Sequence, residues 1–185
     1  TLSASGIGTV GTLAGAGAGD VVNSAGTQAF LNANAGTNKE VRASGVTIKD
    51  ASNADMTANY TINYVDNTTS TINPAILTVS GLSAASKVYD ATTAATIIGT
   101  PSLIGVIAGA PVTISSGSVT SGSFASANAA SSVGVTPNLS GLVLNNPNYV
   151  IAGVSAPLTA SITPAPLVVI PDITPEPVTQ FDLGI

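Results

Sequence analysis

The sequence predicts an all-β protein: two tandem immunoglobulin-like β-sandwich modules, the first incomplete within the chain. Three observations predict it. Short runs of Val, Ile and Thr are broken throughout by Gly, Asn, Asp and Pro. Helical periodicity is almost absent. Several sequence blocks recur in the same order about 90 residues apart, the mark of a duplicated unit.

Taken in order, Leu13 to Gly19 carries Gly at alternate positions, each of which disfavours a helix. Strands are expected at Val41 to Ile48, Tyr60 to Val65, Ile76 to Val79, Val112 to Ile114, Leu142 to Leu144, Val150 to Val154 and Leu167 to Ile170. The Ala-rich stretches Ala91 to Ala95 and Ala125 to Ala130 leave room for one short turn each. Pro164, Pro166, Pro171, Pro175 and Pro177 fix an extended backbone and block central-strand pairing. Ile162 to Ile170 therefore finishes a sheet, Pro171 to Pro177 reads as a stiff connector, and Val178 to Ile185 as a terminal strand.

The repeats decide the architecture. Ile72-Asn73-Pro74-Ala75-Ile76-Leu77-Thr78-Val79 recurs as Ile162-Thr163-Pro164-Ala165-Pro166-Leu167-Val168-Val169. Asn59-Tyr60-Thr61-Ile62 recurs as Asn148-Tyr149-Val150-Ile151, and Ser44 to Ile48 as Ser140 to Leu144. Phe30 with Asn34-Ala35 recurs as Phe124 with Asn128-Ala129; Gly8-Thr9 and Val21 match Gly99-Thr100 and Val112. The expected organisation is a first module over 1–74, a second over 75–164, and a Pro-rich connector with a terminal strand over 165–185.

The second copy opens with Ala75 to Ala91, for which the first copy has no counterpart; the tail from Ala165 begins a third copy. Two arrangements fit. The terminal strand, with Val178, Phe181, Leu183 and Ile185 facing inward, completes the first module of the next molecule and builds a head-to-tail homo-oligomer. Alternatively the chain is a slice of a longer covalent array, its neighbours being modules of the same protein. Phe30, Tyr60, Tyr89, Phe124 and Tyr149 recur at matched positions and are expected as core anchors.

Lys87-Val88-Tyr89-Asp90-Ala91-Thr92-Thr93, Ser140-Gly141-Leu142, Asn148-Tyr149 and Ile162-Thr163-Pro164-Ala165 resemble the YDG-type and related glycine-rich repeat modules of large secreted bacterial adhesins of the filamentous-haemagglutinin-like, two-partner-secretion kind. Ala91 stands where that signature has Gly, and the tail carries Phe181-Asp182-Leu183. The resemblance covers most of the chain, twice. It implies an extracellular location on the bacterial cell surface, a fibre or stalk role, no enzyme activity, and glycans as a possible surface ligand.

Composition narrows the chemistry. Charged residues are 7% of the 185, with four Lys+Arg against nine Asp+Glu, and there is no His or Cys. That excludes thiol chemistry, haem and zinc ligation by His or Cys, and a Ser-His-Asp triad. A phosphate-binding surface is not expected from so few cations, so nucleic acid is not an expected partner. No run approaches 18 consecutive apolar residues, so membrane insertion is not expected. Thr1-Leu2-Ser3 does not open a secretory leader, which reads as a processing boundary. The carboxylates are scattered, and no nucleophile motif, P-loop or dinucleotide fingerprint occurs; no catalytic, cofactor or metal residue is expected.

Three weaker patterns remain. Asp50-Ala51-Ser52-Asn53-Ala54-Asp55 alternates oxygen ligands as calcium requires, but lacks the Gly and distal Glu of an EF-hand loop; a solvated turn is the expectation. Asn59-Tyr60-Thr61, Asn67-Thr68-Thr69 and Asn138-Leu139-Ser140 fit the glycosylation acceptor pattern at about the frequency chance supplies. Lys39, Lys49 and Lys87 are candidates for a Lys–Asn crosslink, without a specific motif to support it.

Overall fold

The chain is all-β, as its β-branched runs dictate. The computed structural model describes Leu13 and residues 19–171, which carry twelve strands and a single 3-10 turn at Thr57–Asn59. They fall into two compact units. The first takes residues 1–81, 100–119 and 139–156; the second takes 82–99, 120–138 and 157–185.

In the first unit, β1 (Val21–Phe30), β2 (Gly36–Lys49) and β3 (Asn67–Ile72) form an antiparallel meander. Alternation within β2 buries Val41, and the same strand buries Ile48 to 2% exposure. β4 (Ala75–Ala84) begins in this unit and buries Leu77 and Val79 on one face. It pairs in parallel with β11 (Tyr149–Val154). β7 (Ile114–Ser116) pairs antiparallel with β10 (Val143–Leu144). Leu77, Val112 and Tyr149 make one buried cluster, with Ala75, Leu103, Ala110 and Leu144 packed against it.

In the second unit, β8 (Ser121–Phe124), β9 (Ala130–Pro137) and β12 (Leu158–Thr163) pair antiparallel in that order, with β10 and β11 intervening in the chain between β9 and β12. β5 (Lys87–Val88) adds to β12 in parallel, and the start of β6 (Ala94–Ile104) pairs with β8. Ala95, Ile97, Phe124, Val135, Ala160 and Ile162 are its buried apolar residues.

The duplication seen in the sequence is repeated in the hydrogen-bond register. Phe30 lies opposite Val41 and Phe124 opposite Val135; Ala29 faces Arg42 and Ser123 faces Thr136. Gly36 faces Ile72 as Ala130 faces Ile162, and Lys39 faces Ser70 as Val133 faces Ala160. The irregularity between Val22 and Ser24, opposite Ile48 and Thr47, returns where Ile114 and Ser116 face Leu144 and Val143. A one-residue slip would turn every buried side chain outward, so a shared register means a shared core face.

Two expected strands are corrected. Tyr60 to Val65 and Leu167 to Ile170 belong to no strand. Their β-branched composition suits an extended backbone, but a ladder also needs a partner strand, and no strand ladder among the described residues includes them. Val112 and Thr113 likewise precede β7, which starts at Ile114. β1, β3, β5, β6, β8, β9 and most of β12 lie outside the expected strands; in β1, β8 and the first half of β9, Gly, Ser, Ala and Asn take the place of β-branched runs, and cross-strand partners hold them instead of local propensity.

Gly81 marks where β4 leaves the first unit. Its φ is +78°, and a Cβ there would lie 2.4 Å from the Thr100 carbonyl oxygen. Both the left-handed backbone and the contact with main chain exclude a side chain. Gly81→Ala is expected to cost more than about 1 kcal/mol of stability, read as a lower denaturant midpoint at unchanged m-value.

Candidate functional site

The opening segment of the second copy, Ala75 to Thr92, is where chemistry and pairing concentrate. It supplies both parallel strands, β4 against β11 and β5 against β12. Asn148 fixes the start of the first pairing: its carbonyl accepts the Ala75 N–H at 2.8 Å. Its side-chain oxygen accepts the Ala35 N–H at 2.7 Å, and its amide donates to Asn34 Oδ1 at 3.1 Å. The Asn34-Ala35 block noticed as a repeat is thus a socket for Asn148.

A tyrosine hydroxyl recurs as a tie in both copies. Tyr149 Oη donates to the Ala110 carbonyl at 2.6 Å and accepts the Ile107 N–H at 3.2 Å. Tyr60 Oη donates to Asp20 Oδ2 at 2.7 Å. Of the five expected anchors, Phe124 and Tyr149 are buried, Phe30 and Tyr60 are half-buried, and Tyr89 is 40% exposed. Tyr89 therefore departs from its expected place in the core. Its backbone is held, with its N–H donating to the Thr163 carbonyl at 2.8 Å, so the segment is fixed without the ring being enclosed. Val178, Phe181, Leu183 and Ile185 lie outside the described residues.

The polar heart of the segment is a turn around Asp90. Its Oδ1 accepts from Lys87 Nζ at 2.8 Å, the Thr92 N–H at 2.9 Å and the Thr92 hydroxyl at 2.9 Å. Lys87 also donates to the Thr92 carbonyl and stands 5.5 Å from the centroid of the Phe124 ring. These donors, Lys87 first and then Thr92, lower the Asp90 pKa to about 2. Ala91 closes the turn at φ +63°, a left-handed conformation that glycine adopts without penalty. The glycine absent from the Tyr-Asp-Ala sequence thus has a conformational meaning.

Elsewhere polar groups are spent on local structure. Asp50 Oδ1 accepts the N–H groups of Ser52 and Ala54, and Asp55 Oδ1 accepts that of Thr57. Thr57 lowers the Asp55 pKa, chiefly through its side chain. The calcium-like loop is thus a pair of carboxylate-capped turns, and among the described residues no three acidic side chains gather as a metal site. Arg42 bonds Asp66 at 3.0 Å and Glu40 at 2.9 Å; the guanidinium holds Asp66 below the usual carboxylate range. Lys39 donates to Asn32, and Lys49 to Asn53 at 2.7 Å, in exposed hydrogen bonds. An open depression of about 500 Å³ lies along Leu142 to Leu144 and Pro147 to Ile151, with no charged side chain lining it. No helix among the described residues is long and apolar enough to cross a membrane.

The family model described as the YDG domain matches residues 73–156, somewhat less than half of the chain. No curated protein and no solved structure matches. This finding corrects the family reading drawn from the sequence. What the match names is a YDG domain, over one stretch, and not a repeat of secreted bacterial adhesins. The fibre or stalk role, the glycan-binding alternative and the extracellular, adhesive and filamentous descriptions that rested on that reading fall with it. The matched stretch contains the Asp90 turn and the β4–β11 pair.

Ala91→Gly is expected to raise stability by about 0.5–1 kcal/mol, because it relieves left-handed strain at a smaller entropic cost. The Asp90 carboxyl should titrate near 2 by carbon-detected NMR. Its folded pKa lies below the unfolded value, so its stabilising contribution is present above about pH 4 and is lost as pH falls through about 2. Asp90→Asn should abolish that acid-dependent loosening of the turn.

Proposed function

We propose that this chain is a non-catalytic interaction module, whose partners are polypeptide backbones that pair with its sheets. The observation that carries the reading is the recurrence of one hydrogen-bond register in two copies, with two parallel strand pairs inside the second copy. Among the described residues, Asp50, Asp55, Asp66 and Asp90 are engaged in capping turns or pairing with a neighbouring cation, and Asp20 accepts from the Tyr60 hydroxyl.

Charge argues against a nucleic-acid partner. The chain has four cationic side chains and a net charge of −5. All four are engaged: Lys39 with Asn32, Arg42 with Glu40 and Asp66, Lys49 with Asn53, and Lys87 with Asp90. A phosphate backbone would meet no cluster of free cations and a repulsive net field.

Titration of the purified chain with a fluorescent DNA duplex, with and without cytosine methylation, at low salt tests this directly. No saturable binding is expected for either duplex. Saturable binding that weakens steeply with added salt would overturn the reading and make nucleic acid the partner.

A further inference from the structure

We propose that the outer edge of β11 is a self-association surface, on which a second copy of this chain pairs its own β11 antiparallel about a two-fold axis at Ile151. The inference rests on the reading of the chain as a strand-pairing module and names its partner.

Backbone direction makes the edge. β11, β4 and the end of β6 lie side by side in that order, with β11 outermost, and among the described residues no strand pairs with its far side. The Ala75 N–H donates to the Asn148 carbonyl, so that carbonyl faces β4. Main-chain groups alternate along a strand, so the N–H and C=O of Ile151 face away from β4. Two such residues brought together about a two-fold axis exchange both hydrogen bonds. Edge strands are commonly blunted by shortness, charge or proline. β5 shows two of these devices: it is two residues long, and its Lys87 pairs with Asp90. β11 has six residues, none of them charged and none proline.

Side chains mark the same edge independently. Tyr149, Leu77 and Leu103 turn into one cluster. Their neighbours Val150, Ile76 and Ile104 therefore face the opposite side, at 47%, 67% and 48% exposure, with Val150 opposite Ile76 in register. Joining two β11 edges extends this apolar row across both copies. On the inner side, the open depression along Leu142 to Leu144 and Pro147 to Ile151 lies against the same strand and leaves room for the inward side chains of an added one.

Charge selects the occupant. No Asp, Glu, Lys or Arg occurs from Ala91 to Pro171, and every charged side chain among the described residues lies between Asp20 and Asp90. A charged partner strand would be desolvated at this edge without a counter-ion. The β11 of a second copy brings no charge, carries the same apolar row and offers the same main-chain groups, which is what a two-fold contact requires.

The test is sedimentation velocity of the full chain from micromolar to near-millimolar concentration, with amide hydrogen exchange at both ends of that range. Expected are a monomer–dimer equilibrium with little salt dependence, and an Ile151 amide whose protection rises with concentration. Val150→Lys places a cation beside the axis, and Ile151→Pro removes an N–H that β4 does not use. Each should weaken the dimer roughly tenfold or more, while Ile98→Lys, at an exposed position outside the row, should leave it unchanged. Thermal melts report whether each variant folds, and the exchange measurement on the unaltered chain stands without them. A monomer throughout, open-ended assemblies, or a dimer that does not protect Ile151 overturns the inference. Those outcomes leave the strand-pairing reading in place with another partner; DNA binding in the preceding titration would remove that reading itself.

Discussion

Parallel pairing is the constraint on which the rest of this structure depends. An antiparallel meander can be made by a short stretch of chain folding on itself, as β1, β2 and β3 do. A parallel neighbour cannot be reached through a hairpin; it has to arrive from a distant segment. Ala75 to Val88 is that segment. It supplies β4 to β11 and β5 to β12, and with β4 comes Leu77, at 0% exposure the most enclosed large side chain of its cluster. Without β4, Val112 and Tyr149 would lose the side chain that covers them.

This explains why a chain with few aromatics and only 7% charged residues can hold a defined fold. Small side chains bring little apolar area each, so long-range backbone ladders and a few enclosed residues must do more. The tyrosine hydroxyls serve the same end, tying Tyr149 at the start of β11 to Ala110 and Tyr60 to Asp20 at 2.6–2.7 Å. The Asp90 turn is the counterpart for the parallel segment: one carboxylate gathers Lys87 and Thr92 and fixes where β5 ends.

The family match and the electrostatics bear on different questions. The YDG-domain match falls on the second copy, where the parallel segment, the Asp90 turn and β11 all lie. It replaces the adhesin reading without supplying a ligand. The arrangement of charge is a property of the residues themselves: each of the four cations bonds a neighbouring side chain. Among the described residues, Thr61 to Val65 and Leu167 to Ile170 belong to no strand.

The sequence by itself determined the class and the duplication. Val, Ile and Thr in short runs disfavour helix wherever they occur, and that preference is local. The repeat was legible because matched residues keep their local spacing to face one core: Val41 follows Phe30, and Val135 follows Phe124, at the same interval of eleven residues, and each valine lies opposite its phenylalanine. Only the tertiary structure decided which extended segments become strands. Tyr60 to Val65 and Tyr149 to Val154 share Tyr, Ile and Val at matched positions, yet only the second has β4 beside it. It also decided that Tyr89 remains exposed while Phe124, beneath Lys87, is enclosed. Strand propensity belongs to a residue, but a hydrogen-bonded strand belongs to a pair, and the partner is set by the fold.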